Sequence, residues 1–316
     1  MIFENIWLIG TGYMAGEYAT ILKNMGLKFS VVARSEESAT KFKLLHNTES
    51  IYGGGIEKAL SKATKMLPKF VIVSTSHSSL FNISKLLIRN QIANVLIEKP
   101  AALSIEECEQ YKHCLGDSSA NIQVAYNRRC LPSVSRLKEE IKTDPLRYVH
   151  FNFSEWIDVI QSDGHSEESL KNWFFINCTH IVDLAFFVMG RPKILSSQVS
   201  GGLPWHPTGH NFAGSGTAVN GCLFSFNSIW GSPSRWELEF YSQNAKYVLS
   251  PVEILSKYES IGNKKVLVDS NDSAFKPGLY EQVYTFLNGA NICSLDEHLG
   301  NLDIYKSILK GQKVTV

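Results

Sequence analysis

Ile6-Trp7-Leu8-Ile9-Gly10-Thr11-Gly12-Tyr13-Met14-Ala15-Gly16 decides the fold of this chain. Four apolar residues of strand type run into two glycines. A helical period then carries through Tyr18, Ile21, Leu22 and Met25 until Gly26 stops it. The spacing is GxGxxA, with a strand before it and a helix after it. Gly10 permits the tight turn, and Gly12, between Thr11 and Tyr13, lets a pyrophosphate approach the backbone. Ala15, beside Met14, is small enough for helix and strand to pack closely. The start of the helix also offers N–H groups to a phosphate. Residues Gly10 to Ala15 are therefore expected to hold a dinucleotide; an incidental glycine turn is the competing reading.

Strands and helices alternate from there. Phe29-Ser30-Val31-Val32-Ala33, Phe70-Val71-Ile72-Val73-Ser74-Thr75, Val95-Leu96-Ile97-Glu98-Lys99 and Ile122-Gln123-Val124-Ala125-Tyr126 read as buried parallel strands. Helical periods separate them, which is the pattern of a doubly wound α/β domain over residues 1–126. The second strand bears on the cofactor. A site for NAD usually has Asp or Glu about 20 residues beyond the glycines, bonded to the ribose 2′-OH. Here Arg34 and Ser35 stand in that place. A guanidinium pairs with a 2′-phosphate and a hydroxyl donates to it, so NADP(H) is expected over NAD(H). Glu36 or Glu37 taking the ribose is the alternative, as is Arg34 stacking on the adenine of either cofactor. Thr75, Ser76 and His77 leave the strand Phe70–Thr75 at the cofactor end; for His77 a plain loop histidine is the simpler reading.

Composition narrows the partners. The chain has 316 residues, 44% hydrophobic and 19% charged, with a formal charge of +1. That balance makes no electrostatic case for nucleic acid or an anionic membrane. No apolar run reaches transmembrane length. The start, Met1-Ile2-Phe3-Glu4-Asn5, lacks the basic region of a signal peptide, so a cytoplasmic protein is expected. Six cysteines without a CxxC pair suggest reduced thiols and no zinc site; no metal is expected.

Glu98-Lys99-Pro100 ends its strand abruptly with an acid, a base and a proline. In an open α/β sheet, ligands bind at the carboxyl ends of strands. The two-residue period sends Glu98 and Lys99 to opposite faces, and Pro100 holds Lys99 extended. Taken alone, the triplet is an ordinary punctuated strand end.

The later motifs change that. The glycine turn, Thr75, Glu98-Lys99-Pro100, Tyr126-Asn127-Arg128-Arg129 and His180-Ile181-Val182-Asp183 follow one another in an order that resembles the Gfo/Idh/MocA oxidoreductases, the family of glucose–fructose oxidoreductase and inositol dehydrogenase. The resemblance covers nearly the whole chain. It implies an N-terminal Rossmann domain with a doubly wound parallel sheet, and a C-terminal α/β domain whose open, mainly antiparallel sheet is substrate platform and oligomer interface. A homodimer or homotetramer would follow from that interface. It also implies that Lys99 assists hydride transfer between nicotinamide and the carbinol of a sugar, cyclitol or nucleotide sugar, with a surface-polysaccharide sugar as the preferred setting. Lys99 has to reach a pKa of about 7–8 to serve as a base near neutrality.

The second domain is read over 127–295, with a terminal helix in 296–316 packing back on the first. A helix over Ser133 to Ile141 and strands over Tyr148 to Phe153, Leu195 to Val199, Val219 to Phe226, Trp236 to Tyr241 and Lys246 to Leu249 are expected. Of Trp156, Trp173, Trp205, Trp230 and Trp236, one or two are expected in a sugar site and the others in the core. Family members commonly carry Asp four residues before the histidine of the later motif, where this chain has Ile176. Asn177 and Asp183 are the nearest polar substitutes. Asn177 bonds a hydroxyl without acting as a base, and Asp183 reads as a supporting carboxylate. The substrate set is thus Lys99, Asn127, Arg128, Asn177 and His180, with Lys99 and His180 catalytic. A silent cofactor-binding regulator of the same fold is the rival, because the aspartate is missing.

Overall fold

The computed structural model describes residues 5–48, 50–63, 67–102, 105–116, 120–259, 262–269 and 274–315. The N-terminal residues 1–4, on which the absence of a signal peptide was read, lie outside them. The chain forms two compact units, Met1–Tyr126 with Ala274–Gly300 and Asn127–Ser273 with Asn301–Val316.

In the first unit, β1 (Ile6–Ile9), β2 (Phe29–Val32), β3 (Ser50–Tyr52), β4 (Phe70–Val73), β5 (Asn94–Ile97) and β6 (Asn121–Val124) form one sheet in the order β3-β2-β1-β4-β5-β6. Every pairing in it is parallel. β1 and β4 are buried along their whole length, as strands covered on both faces by helices must be. Strand order reverses between β1 and β4, which opens a crevice at their carboxyl ends. Gly10 lies in that crevice with φ +121°, and a Cβ there would stand 1.9 Å from the Ser74 carbonyl oxygen. Only glycine allows β1 and β4 to leave the sheet so close together.

The returning segment 274–300 is held by Gln123, which is 1% exposed. Its amide donates to the Ala290 carbonyl (3.2 Å) and accepts from the Ile292 N–H (2.9 Å), while Val124 N–H donates to the Cys293 carbonyl at 2.8 Å.

In the second unit, β7 (Tyr148–Asn152), β8 (Pro192–Ser200), β9 (Asn211–Ala218), β10 (Leu223–Ile229), β11 (Glu237–Tyr241), β12 (Lys246–Leu249), β13 (Leu255–Tyr258), β14 (Lys264–Val268) and β15 (Lys313–Thr315) form a nine-stranded sheet. Its order is β14-β13-β12-β11-β7-β10-β9-β8-β15, antiparallel except for β7 beside β10. Val149, Phe151, Phe224, Phe226, Leu238 and Phe240 point to the buried face, with part-exposed residues alternating between them.

The expected terminal helix is two helices instead. Leu295–Gly300 belongs to the first unit, whereas Leu302–Lys310 lies along β8 in the second, with Ser197 Oγ donating to the Ile308 carbonyl at 3.1 Å. Its buried Leu302, Ile304, Tyr305 and Ile308 recur at helical spacing and need an apolar face, which the second sheet supplies. No helix among the described residues is long and apolar enough to cross a membrane.

Candidate active site

The first unit carries the glycine turn. The helix Tyr13–Asn24 starts at Gly12 without a side-chain cap and without an acid in its first turn. Its first N–H groups are therefore orphans, and the helix dipole favours an anion beside them. A Cβ on Gly12 would meet no atom within 4 Å, so the space above the turn is open. Lys276 adds a cation there: its Nζ lies 5.2 Å from the Tyr13 ring centroid and 3.2 Å from Met14 Sδ. Ser74 Oγ, at the end of β4, is shielded from solvent with no hydrogen-bond partner among the described residues. An open glycine turn, an uncapped helix start, a cation and an orphaned hydroxyl fit the phosphates and hydroxyls of a dinucleotide.

The residues after β2 are less open than their sequence suggests. Ser35 caps the helix Glu36–His46: its Oγ accepts from the Ser38 N–H at 3.1 Å and donates to Ser38 Oγ at 3.0 Å. Glu36 is paired with Lys58 at 3.1 Å. Arg34 is exposed. After β4, Ser76 Oγ shares a hydrogen bond with Ser79 Oγ at 2.9 Å, and His77 begins the helix His77–Arg89. A cleft of about 310 Å³ lined by Asn5, Ile6, Lys23, Phe29 and Thr48 sits at the amino ends of β1 and β2, the end opposite the glycine turn.

Glu98 and Lys99 follow β5. Glu98 Oε1 accepts from the Tyr18 hydroxyl at 2.5 Å, and its Oε2 accepts from the Lys99 backbone N–H at 3.2 Å. Tyr18 in turn accepts from Gln282 Nε2 at 2.9 Å. Burial pushes the Glu98 carboxyl above the ordinary range, while Tyr18, the Lys99 N–H, Lys276 and Lys99 pull it part of the way back. Lys99 itself is only 4% exposed, and its Nζ stands 5.9 Å from the ring centroid of buried Tyr126. The Lys99–Pro100 peptide bond is cis.

The second unit gathers a different set. Asn127, Arg128 and Arg129 share the short 3₁₀ turn Asn127–Cys130. Arg129 is committed to the fold: Nε and Nη2 donate to the two Asp183 oxygens at 2.7 and 2.6 Å, with both side chains almost wholly buried. Asp183 is thereby a structural carboxylate, as a helix residue three positions past His180 can be. Removing one partner of such a buried pair costs about 3–5 kcal/mol.

His180 is the second residue of the helix Thr179–Met189, and its ring lies 5.9 Å from that of Trp236. A single π-helical turn, Phe174–Cys178, precedes it. Ile176 is buried, and Asn177 donates through Nδ2 to both oxygens of Glu155, at 2.9 and 3.0 Å. Glu155 is 1% exposed and also accepts from Trp236 Nε1 (3.1 Å) and Arg235 Nη1 (2.8 Å). Burial raises its pKa, and Arg235, Trp236 and Asn177 oppose the rise. Trp236 is the hub, touching His180, the Arg128 guanidinium at 5.8 Å and the Arg235 guanidinium at 4.7 Å.

Sequence reasoning missed Glu155, Tyr18, Gln282 and Lys276. Glu155 had a signal, an acid just past an apolar strand as at Glu98; the others had none. Among the five tryptophans named above, Trp230 is buried and stacked on Trp205 at 6.0 Å, Trp173 lies against His165, Trp156 contacts Arg235, and Trp236 touches His180. Among the described residues no cluster of His, Cys, Asp and Glu could hold a metal ion.

Residues 5–126 match the model of the Gfo/Idh/MocA family, described as an oxidoreductase family with an NAD-binding Rossmann fold. Over that part the chain is similar to the Gfo/Idh/MocA oxidoreductases. It is 25% identical over 206 residues to the uncharacterized oxidoreductase YgjR of Escherichia coli (strain K12), an alignment covering 61% of this chain and 60% of that protein. The chain thus spans about 60% of the length of the curated relative it matches. Among solved structures, the UDP-N-acetylglucosamine 3-dehydrogenase GnnA of Acidithiobacillus ferrooxidans superposes with a TM-score of 0.76 at 14% identity, covering 97% of each chain. A levoglucosan dehydrogenase in complex with NADH and levoglucosan superposes with a TM-score of 0.76 at 16% identity, covering 99% of this chain and 98% of that one. Both likenesses are likenesses of fold.

Proposed function

We propose that this protein is a Gfo/Idh/MocA-type, NAD(P)-dependent oxidoreductase that moves a hydride between nicotinamide and a secondary alcohol or ketone of a sugar, cyclitol or nucleotide sugar. The observation that carries the reading is Lys99: a lysine 4% exposed, at the carboxyl end of a parallel strand, in the unit that holds the open glycine turn. A cation is not buried at such a strand end for solubility, and the strand ends are where this architecture binds ligands.

Gly10, Thr11, Gly12, Tyr13, Met14 and Ala15 hold the pyrophosphate in this reading, with Lys276 supplying charge, while Ser74, Thr75, Ser76, His77 and Glu98 surround the rest of the dinucleotide. Bound there, the nicotinamide supplies or takes up the hydride. Lys99 Nζ donates the proton to the ketone oxygen in reduction and takes it from the hydroxyl in oxidation. Glu98, tied to Tyr18 and to the Lys99 N–H, fixes the backbone from which Lys99 extends. Asn127, Arg128, Asn177 and His180 bind the substrate, and His180 assists the proton transfer. Arg34, exposed after β2 while Glu36 is tied to Lys58, supports NADP(H) as the preferred cofactor and NAD(H) as the lesser one. The scattered thiols support a cytoplasmic setting, and exposed Ile194, Leu223 and Ile229 on strands of the second sheet support a homo-oligomer formed through it.

The test is Lys99→Met. Turnover of an accepted sugar should fall by about 10²–10⁴, with NADH affinity, followed by nicotinamide fluorescence, changed less than threefold, or about 0.7 kcal/mol. Near-full activity in the variant removes Lys99 from the chemistry. Tight dinucleotide binding without turnover across a broad sugar panel would favour the silent regulator.

A further inference from the structure

Two neighbouring arginines in the turn Asn127–Cys130 have opposite fates. Arg129 spends both its Nε and Nη2 on Asp183. Arg128 has its Nε and Nη1 shielded from solvent and bonded to no acceptor, and it makes no ion pair among the described residues. Its guanidinium rests against Trp236, the same indole that touches His180. Charges close enough to act on Arg128 are Glu253, which attracts it from beyond ion-pair distance, and Arg235, which repels it. Arg235 is already answered by Glu155 at 2.8 Å. The wall built of His180, Trp236, Glu155, Arg235 and Arg128 is thus left with one positive charge that the protein does not pair.

Buried donors in folded proteins find acceptors, and buried charges find counter-charges, unless a ligand completes them. Hydroxyls of a neutral sugar would accept from Nε and Nη1 but would leave the charge unanswered. A carboxylate or phosphate oxygen does both, through the charge-assisted bonds for which arginine is suited. We propose that Arg128 binds an anionic group, carboxylate or phosphate, carried by the substrate, so that the protein acts on acidic or phosphorylated sugars in preference to neutral ones. The proposal rests on the sugar-type redox reading above.

The experiment uses the full chain saturated with NADPH and compares D-glucose, D-glucuronate and D-glucose 6-phosphate by titration at constant ionic strength. At least one anionic sugar should bind about tenfold or more tighter than glucose; whichever does so tells carboxylate from phosphate. Arg128→Gln should reduce that preference to about twofold or less without lowering Tm, since it removes an unpaired buried charge. Glu253→Gln, which takes away the competing negative charge, should enlarge the preference. The proposal is overturned if glucose binds as well as both anions, if none of the three binds, or if Arg128→Gln keeps the preference. Failure of the unaltered protein to bind either NADPH or NADH would instead sink the redox reading, and nicotinamide-dependent turnover of neutral sugars without anion preference would sink only the anionic subsite.

Discussion

Glu155 holds its charge where folding makes charge costly. Its carboxylate is almost wholly buried, and burial outweighs Arg235, Trp236 and Asn177 in setting the direction of its pKa, which is up from an ordinary 4.5. A carboxyl with a raised pKa keeps its proton longer folded than unfolded. Its contribution to stability is complete below the unfolded pKa and is lost as pH rises through the folded one. Glu155→Gln keeps a carbonyl acceptor but does not titrate. The Tm of the variant minus that of the parent should therefore grow more positive from pH 4.5 upward, read by thermal unfolding across pH; a difference constant with pH contradicts the assignment. At this scale Lys99 and His180 were visible because each stands in a motif. Tyr18 and Gln282 were not, because their polar tips matter only once residues 18, 98 and 282 meet in one hydrogen-bonded chain.

The glycine turn and the π-helical turn show what single elements decide. Gly10 and Gly12, expected to serve the tight turn and the approach of a pyrophosphate, have different surroundings in the fold. Gly10→Ala would push a Cβ into the Ser74 carbonyl at a positive φ, and should cost about 3 kcal/mol or more of stability. Gly12→Ala has ordinary φ (−84°) and no neighbour within 4 Å, so unfolding should move by no more than about 0.5 kcal/mol. Its dinucleotide affinity should nevertheless fall by about tenfold, or about 1.4 kcal/mol, since the methyl group occupies the open space. Denaturant titration and NADH binding on the pair check this; equal destabilisation by both would refute the division of labour. The resemblance implies an aspartate four residues before His180, where this chain has Ile176. The π-helical turn is wider, and it is Asn177 that reaches a carboxylate, on Glu155. Strand β9 escaped detection because Gly214 and Gly216 weaken strand propensity; their missing side chains make room for the rings of Phe226 and Phe224 on β10.

The whole molecule is assembled out of chain order: residues 274–300 return to the first unit and 301–316 close on the second. Dinucleotide binding is coupled to folding at this scale, because a ligand that binds only the native state stabilises by about 2.7 kcal/mol at 100 times its Kd. At equal concentration NADP(H) should raise Tm more than NAD(H), and Arg34→Ala should remove the advantage; a preference untouched by the substitution takes Arg34 out of cofactor selection. The parallel sheet, the glycine turn, the strand end at Lys99 and the helix of His180 were all determined by the sequence itself, since apolar period, glycine spacing and strand-end punctuation act between near neighbours. Only the tertiary structure decided that Glu155 would serve the His180 wall, that Lys276 would stand over the glycine turn, that the terminal helix would split, and that of two adjacent arginines one would be paired and the other left open. Those outcomes depend on pairings across tens to hundreds of residues, where burial and charge select the partners and no local pattern records the choice.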